Sequence, residues 1–266
     1  MSHLADASPA ARYRAAVSMP PTGDVRIAGV VGLPEITAGD DLAQLIADAM
    51  TLLDGDVVVI TSKVVSKAEG AVVDLATVDP SPFAADYARR WSKDARLVEV
   101  VLSEAARIVR MSGPLLITET RHGLVCANSG VDESSSGAAG RVVVLPRDPD
   151  SSARALRARF GELGVDVAVI VSDTFGRPWR EGQTDVAIGL AGINPITNYI
   201  GQHDPHGHEF RVQQLCVADE LAAAAELVKG NLARVPAAVV RGFRWERDDT
   251  ATAAQLIRPP DRDLFR

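Results

Sequence analysis

The chain has 266 residues, of which 47% are hydrophobic, and its formal net charge is −7. This composition supports a full hydrophobic core and excludes disorder for most of the chain. The acidic balance argues against general nucleic-acid binding, because positive charges that neutralise phosphates supply most of that affinity. Two cysteines, Cys126 and Cys216, are too few for a disulfide framework and are interpreted as small core residues in a reducing compartment.

The two ends of the chain differ in composition from its middle. Residues 1–24 are rich in Ala, Ser and Pro, lack the apolar run of a signal peptide, and are predicted to form a flexible tail. No window approaches the roughly 20 apolar residues that cross a bilayer. We therefore expect a cytoplasmic protein with no membrane partner, with one large domain or two intimately joined lobes over residues 25–247 and a C-terminal tail over 248–266.

Strands and helices alternate in the N-terminal half without a clean repeat. In chain order, the pattern predicts a strand at 25–31, a helix from Asp40 or Asp41 to about Leu53, a strand at 57–61, a helix from about Ser62, a mainly helical stretch at 82–110, and strands at 115–118 and 124–127 joined by a turn at 121–123.

The C-terminal half continues this alternation and predicts a mixed α/β or α+β fold. The expected elements are a polar loop at 128–140, a strand at 142–145, a helix from Ser151 or Ser152 to about Leu163, a buried strand at 165–172, a polar loop at 173–184, a strand at 212–217, a helix capped by Asp219 that ends at Gly230, and a last strand at 237–241.

The sequence ITSKVVSKAEG, residues 60–70, carries a buried strand into the N-terminus of a helix. Helix N-termini attract phosphate through free N–H groups and the helix dipole. Ser62, Lys63 and Lys67 add a hydroxyl and two point charges, in a chain that otherwise uses arginine. The segment is either a phosphate site or a capped surface helix with solvated lysines. It is not a Walker A loop, because no GxxxxGK[ST] occurs in the chain.

Two further segments carry oxygen ligands. The loop ANSGVDESS places Asp132 and Glu133 after a strand, where hard oxygen donors suit Mg²⁺ or Mn²⁺, although an acidic turn looks the same in sequence. The segment VIVSDTFGRPWREGQ places Asp173 and Thr174 at the carboxyl end of a buried strand. Ligand sites in α/β sheets favour that edge. The segment is therefore either a metal–phosphate or carboxylate site or a structural loop.

Three histidines, His203, His206 and His208, form the spacing HxxHxH. Zinc is the obvious ligand for such a cluster, but Gly and Pro interrupt the run and no further His or Cys partner is evident. We interpret the segment as a turn before the next strand.

As a set, the strings TSKVVSKAEG, RHGLVCANSGVDES, VIVSDTFGRPWREGQTDVAIGLAGINPI, VADELAAAAELVKG and VPAAVVRG resemble the coenzyme F420-0:L-glutamate ligase family, the gamma-glutamyl ligases of deazaflavin coenzyme biosynthesis. The similarity runs from about residue 25 to 241. It implies a ligase domain over 25–247 with a family-specific two-lobed α/β fold, in an intertwined homodimer with nucleotide and metals in a groove at the interface. One branch of the family carries a fused C-terminal nitroreductase-like domain. The resemblance therefore leaves open a stand-alone ligase, or a ligase domain with a fused or separate nitroreductase-like domain as a partner.

The resemblance also implies the reaction. Family members use GTP to join L-glutamate to F420-0 through an acyl phosphate and then add further gamma-linked glutamates. They need Mg²⁺ or Mn²⁺ and a monovalent cation such as K⁺. Transfer of the γ-phosphoryl group activates a carboxylate that is otherwise a poor acyl donor, and the protein supplies positioning and charge neutralisation.

Residue by residue, the resemblance implies metal ligands and nucleotide contacts. The metal ligands are Asp132, Asp173, Thr174 and Asn231. The nucleotide contacts are Leu33, Pro34, Glu35, Ile36, Ser62, Lys63, Lys67, Ser135, Lys229, Gly230 and Asn231. We expect Lys63 and Lys67 to complement charge that develops during phosphoryl transfer, and we assign Arg177 and Arg180 as candidates for binding acidic groups of the substrate.

The chain departs from the family pattern at two positions. Ser135 stands where the family often has Asn, and the late helix ends in Lys229, Gly230 and Asn231 where Met-Gly-Gln is usual. These departures leave two other functions open. The protein could bind nucleotide or F420 without ligating, or it could ligate a different acidic acceptor.

Overall fold

The computed structural model describes residues 23–133 and 140–263. A five-stranded mixed sheet with the order β1-β12-β2-β8-β9 forms its centre. The strands are β1 (Arg26–Gly29), β2 (Val57–Thr61), β8 (Ala168–Arg177), β9 (Arg180–Ala191) and β12 (Ala237–Arg241). Only β2 and β8 pair in parallel, whereas the other neighbours are antiparallel. The prediction of a mixed α/β fold is confirmed.

Helices cover both faces of the central sheet. The helices of the described residues are α1 (Leu42–Ala49), α2 (Ser62–Ala68), α3 (Pro82–Trp91), α4 (Ala95–Glu104), α5 (Pro149–Glu162) and α6 (Val217–Lys229). Residues of β2 and β8 alternate between two buried clusters. One cluster contains Val169 and Val171 with residues of α1 and α5, and the other contains Ala168 and Ile170 with residues of α6. The side chains of β8 therefore point alternately toward α6 and away from it.

Three smaller sheets flank the central one. They contain β4 (Ala105–Ser112) with β5 (Leu115–Thr120) and β6 (Val125–Ala127), β3 (Val72–Asp74) with β7 (Arg141–Val143), and β10 (Ile196–Asn198) with β11 (Gln214–Cys216). The predicted turn at 121–123 lies between the antiparallel strands β5 and β6. In the described residues, no helix combines the length and apolar character needed to span a membrane.

The sequence correctly predicts several elements, including the bounds of β2 and β12, the start of α2, and the end of α6 at Gly230. Other boundaries move by a few residues. The strand predicted at 25–31 covers Arg26–Gly29, and the helix predicted from Ser151 or Ser152 begins at Pro149 with Asp148 as its N-cap.

Three predictions are wrong. Residues 173–184 are not a loop, because β8 and β9 continue through them as a hairpin in which Arg177 pairs with Arg180. Residues 105–110 are not helical, because the chain leaves α4 directly into β4. Asp219 does not cap α6: the helix begins at Val217, and Asp219 Oδ1 instead accepts a hydrogen bond from the backbone N of Ala187.

Candidate active site

Helix α2 connects three segments that are far apart in the sequence. Ser62 Oγ donates to Asp173 Oδ1 at 2.7 Å, and Lys63 forms an ion pair with Asp132. One turn further on, Lys67 Nζ lies 2.5 Å from Glu35 Oε1. Residues four positions apart share one face of a helix, so the two lysines lie on the same side of α2. The helix thus brings together residues that the sequence assigns separately to phosphate and metal binding.

The position of α2 follows from the local sequence. The strand β2 reads VVVIT and is buried apart from its last residue, and α2 begins immediately after it without a loop. Because β2 pairs in parallel with β8, Thr61 lies opposite Ser172. The N-terminus of α2 is therefore held beside Asp173, where β2 ends and the buried part of β8 gives way to the hairpin. The prediction that Asp173 and Thr174 stand at the carboxyl end of a strand is wrong, because β8 continues to Arg177.

Asp173 is crowded by negative charge. Burial raises the pKa of its carboxyl group to about 6, and the charges of Asp185 and Asp132 add to this increase, whereas the hydrogen bond from Ser62 opposes it. A cation placed between Asp132 and Asp173 would relieve this repulsion. The donor set also fits, because both groups supply hard carboxylate oxygens.

The side chains of Asp173 and Thr174 leave opposite faces of β8. Asp173 contacts α2, whereas Thr174 Oγ1 donates to Asp185 Oδ1 at 2.7 Å on the face that α6 covers. Since consecutive side chains of a strand point to opposite faces, these two predicted metal ligands do not converge on one point. A cation at Asp173 therefore lies apart from one at the Thr174 hydroxyl.

A buried polar cluster lies under Thr174. Lys229 Nζ donates to Asp185 Oδ2 at 2.7 Å and to Ser172 Oγ at 2.8 Å, and it lies 3.6 Å from a carboxylate oxygen of Glu226. Ser172 Oγ also donates to Asp185 Oδ2 at 2.8 Å. The side chains of Lys229 and Asp185 are each only 1% exposed. The Lys229 ammonium therefore points into the protein, and the predicted nucleotide contact at this residue stays a prediction.

Glu35 links the predicted nucleotide segments. It pairs with Lys67 on one side, and Arg234 Nη2 lies 3.1 Å from its other carboxylate oxygen. Lys67 is mostly buried, whereas Glu35 and Arg234 are largely exposed. These pairs hold the pKa of Glu35 below its usual value, with the hydrogen bond from Lys67 as the largest cause. The segment 33–36, helix α2 and the segment after α6 thus meet at one carboxylate.

The other predicted nucleotide contacts differ in exposure. Pro34, Gly230 and Asn231 are exposed, Leu33 is half-buried and Ile36 is buried. Ser135 lies outside the described residues, so its predicted nucleotide contact stays a prediction.

The two arginines assigned to acidic substrate groups lie at the tip of the β8–β9 hairpin. Arg177 and Arg180 are both exposed, and Arg177 donates to the backbone carbonyl oxygens of Glu181 and Gly182. Arg177 is four residues along the strand from Asp173, which corresponds to about 13 Å. The described chain therefore does not bring this hairpin tip to Asp173, and the role predicted for both arginines stays a prediction.

The histidine segment forms an exposed turn. His203 and Glu209 form an isolated β-bridge, and Asp204 Oδ1 accepts hydrogen bonds from the backbone N of His206 and of His208. Between residues 23 and 133 and between 140 and 263, no group of three or more His, Cys, Asp or Glu side chains is arranged to hold a metal ion. At Asp173 as well, the protein alone offers an incomplete set of ligands, which Mg²⁺ commonly completes with water and phosphate oxygens.

The cysteines are not activated. Burial raises the pKa of both thiols to about 12, and the nearby charges of Asp173 and Asp219 contribute to the increase at Cys126 and Cys216 respectively. Both thiols are therefore protonated at neutral pH, which agrees with their interpretation as small core residues.

Sequence reasoning missed the Lys229–Asp185 pair. Asp185 directly follows the predicted loop at 173–184 and has no predicted role, and the prediction for Lys229 is a nucleotide contact. A signal was present, since Asp185 precedes the apolar run VAIGLA and Lys229 ends a helix rich in alanine. Two opposite charges at the edges of buried segments are each expected to need a partner.

The lysines and the hydroxyl of α2, with the carboxylates that they contact, are groups of the kind that could bind phosphates together with a divalent cation. Comparison with known proteins identifies the relationship. Residues 30–242 match the family F420-0:gamma-glutamyl ligase.

Curated relatives extend this match. The chain is 46% identical over 91% of its length to a protein of Methanothermobacter thermautotrophicus named coenzyme F420:L-glutamate ligase, of which the match covers 99%. Proteins of the same name from Methanopyrus kandleri and Halobacterium salinarum are 49% and 44% identical, over 87% and 89% of this chain and 94% of each relative. The chain belongs to the F420-0:gamma-glutamyl ligase family.

Proposed function

We propose that this protein is a GTP-dependent ligase that joins L-glutamate to coenzyme F420-0 and then adds further gamma-linked glutamates. The observation that carries the proposal is the convergence on α2, where Ser62, Lys63 and Lys67 contact Asp173, Asp132 and Glu35 respectively. Family membership and the names of the relatives support the choice of substrates.

In the proposed reaction, a carboxylate oxygen of F420-0 attacks the γ-phosphorus of GTP, and the bond to the β-phosphate oxygen breaks to release GDP. The amine of glutamate then attacks the acyl carbon, the carbon–oxygen bond to phosphate breaks, and the amine loses a proton as the amide forms. Positioning and charge neutralisation account for most catalysis in phosphoryl transfer.

The chain's residues have distinct tasks in this scheme. Asp132 and Asp173 would hold Mg²⁺ or Mn²⁺, which neutralises phosphate charge when bound. Thr174, on the opposite face of β8, and Asn231, which follows α6, would be ligands of a second cation. Lys63 and Lys67 are paired with carboxylates in the protein alone, and we propose that phosphate oxygens of GTP take over part of this pairing. K⁺ remains an additional expectation from the family resemblance.

We also propose that the protein forms a homodimer. Several apolar side chains are strongly exposed in the single chain, among them Trp179 at 75%, Val212 at 85%, Leu227 at 85% and Leu232 at 95%. Contiguous exposed apolar patches mark interaction sites, and we propose that the dimer interface covers these side chains. Sedimentation velocity on the purified chain tests this proposal, and a monomer at micromolar concentration would contradict it.

The decisive assay incubates the purified protein with F420-0, L-glutamate, GTP, Mg²⁺ and K⁺, and follows glutamylated product by mass spectrometry together with GDP and phosphate. We expect one GDP for each amide formed, and no GDP release without F420-0. Nucleotide binding without product would favour the non-ligating alternative. Product that forms only with another acidic acceptor would favour a ligase of different specificity.

A further inference from the structure

The buried ammonium of Lys229 lies among oxygen atoms in the way a bound cation would. Asp185 Oδ2 and Ser172 Oγ lie 2.7 and 2.8 Å from Nζ, and a Glu226 oxygen lies 3.6 Å away. Lys229 is one of four lysines in the chain and is 1% exposed. A charge buried this deeply is costly unless it is paired, so the surrounding oxygens define its place closely.

This cluster lies where β8 loses one of its two neighbouring strands. Parallel pairing with β2 ends at Ser172, and the antiparallel register with β9 shifts between Val171 and Ser172. Asp173 and Thr174 therefore lie just beyond a register shift, in a segment that pairs with β9 alone. Here Ser172 and Thr174 both donate to the carboxylate of Asp185, which also accepts a hydrogen bond from Lys229.

We propose that Lys229 is a positioning residue that acts as a fixed monovalent cation. Its ammonium holds Asp185 against the hydroxyls of Ser172 and Thr174, and thereby sets the segment of β8 that carries Asp173. The inference rests on the proposed function, in which Asp173 binds the divalent cation. It assigns to Lys229 a task that needs no contact with the nucleotide.

The hydrogen-bond directions fit this task. An ionised carboxylate only accepts, so the hydroxyl of Thr174 donates inward to Asp185 and its oxygen lone pairs face away from that bond. Groups that orient a ligand in this way are typically worth 10- to 100-fold in metal affinity or activity. Both neighbours of Asp173 in the sequence are fixed by the same carboxylate.

The test compares two substitutions that differ in the space they leave. Lys229→Ala removes the ammonium and opens a cavity that a small ion can enter, whereas Lys229→Met removes the charge but fills the space with apolar atoms. Lys93→Ala, at a lysine between α3 and α4, is the matched control. Each full-length protein is assayed for kcat and KM in tetramethylammonium chloride, and again in ammonium chloride of the same ionic strength.

We expect Lys229→Ala to lower kcat by about 10- to 100-fold in tetramethylammonium, with a smaller change in the KM for GTP. Ammonium should restore kcat and raise the thermal midpoint of this variant, because an ion that binds only the folded state stabilises it. The response of the wild type and of Lys93→Ala to ammonium, which can stand in for the expected K⁺, sets the baseline. Lys229→Ala should recover beyond that baseline, and Lys229→Met should not.

Full activity of Lys229→Ala without ammonium would overturn the proposal, as would equal recovery in both salts or no recovery in either. If Lys229→Ala folds only in ammonium, as followed by circular dichroism, that result supports the fixed-cation role. If it folds in neither salt, the neutral double variant Asp185→Asn/Lys229→Met decides: normal kcat would contradict positioning, and a 10- to 100-fold loss with a folded chain would support it.

Failure of the proposed function gives a different result. A wild type that makes no glutamylated product refutes the ligase assignment, while the thermal midpoint of Lys229→Ala in the two salts still reports whether a cation occupies the place of the ammonium.

Discussion

The site contains two lysine–aspartate pairs of the same chemistry in opposite surroundings. Lys63 and Asp132 are about a third exposed, with side-chain values of 35% and 30%, whereas Lys229 and Asp185 are each 1% exposed. The first pair lies on the α2 side of β8 and the second on the α6 side. Only the first can exchange its partner for a substrate without opening the core.

This difference separates a pair that handles ligands from a pair that holds structure. Exposed ion pairs contribute little to stability, since water already solvates both charges. Removing one partner from a buried pair leaves an uncompensated charge and is strongly destabilising. Exposure, rather than residue type, therefore indicates which lysine meets phosphate.

The largest effect is expected at the carboxylate between the two pairs. Asp173→Asn keeps the size of the side chain but removes a hard anionic ligand, so ligation should fall below detection while the fold remains. Product formation in saturating Mg²⁺ and Mn²⁺, with circular dichroism as the check on folding, measures this. Turnover close to that of the wild type would refute the metal assignment.

Breaking the buried pair should affect stability most. Lys229→Met is expected to lower the free energy of unfolding by about 3–5 kcal/mol, because Asp185 loses its counter-charge. Denaturant titration of the wild type, the single variant and Asp185→Asn/Lys229→Met measures it. The double variant should recover much of the loss, and a double variant less stable than Lys229→Met would contradict this explanation.

Lys67 should affect nucleotide binding. A charge-assisted contact with phosphate is worth about 1.5–3 kcal/mol, so Lys67→Ala is expected to weaken GTP binding by about 10- to 150-fold. Binding of glutamate should change much less. Titration calorimetry with each ligand separates the two, and unchanged GTP affinity would leave Lys67 only its structural pairing with Glu35.

The exposed pair should contribute little to stability. Lys63→Met is expected to change the free energy of unfolding by no more than about 1 kcal/mol, far less than Lys229→Met. The same denaturant titration compares them directly. Similar losses for both variants would show that exposure does not separate the two pairs.

The smallest effect is expected at the histidine turn. Replacing His203, His206 and His208 together by Gln should leave metal-dependent activity unchanged, because imidazole favours softer metals than phosphoryl transfer requires. Elemental analysis of the wild type should find no stoichiometric zinc. Joint loss of zinc and activity in a folded triple variant would reopen the zinc interpretation.

The sequence predicts buried strands well and the hairpin poorly. The strands β2 and β12 are continuous apolar runs, so their bounds follow from composition. The hairpin residues 173–184 are mostly polar and contain glycine and proline, so nothing local distinguishes them from a loop. Their strand structure comes from pairing between β8 and β9, and that pairing is tertiary.

The site divides in the same way. Short sequence motifs with recognisable chemistry contain Ser62, Lys63 and Asp173, and the structure places these residues together. The pairing of Lys67 with Glu35 and of Lys229 with Asp185 could not be predicted from the sequence. These contacts join residues that are 32 and 44 positions apart. The burial of each lysine determines its role, and that burial depends on the packing of the assembled sheet.

The strand order has a consequence for how the protein is made. The last strand of the described residues, β12, inserts between β1 and β2. These two strands, both from the first quarter of the chain, therefore share no hydrogen-bonded neighbour until residue 241 is synthesised. A nascent chain that stops earlier exposes the apolar edges of β1 and β2, which are templates for aggregation. The central sheet is therefore completed only after residue 241 has left the ribosome.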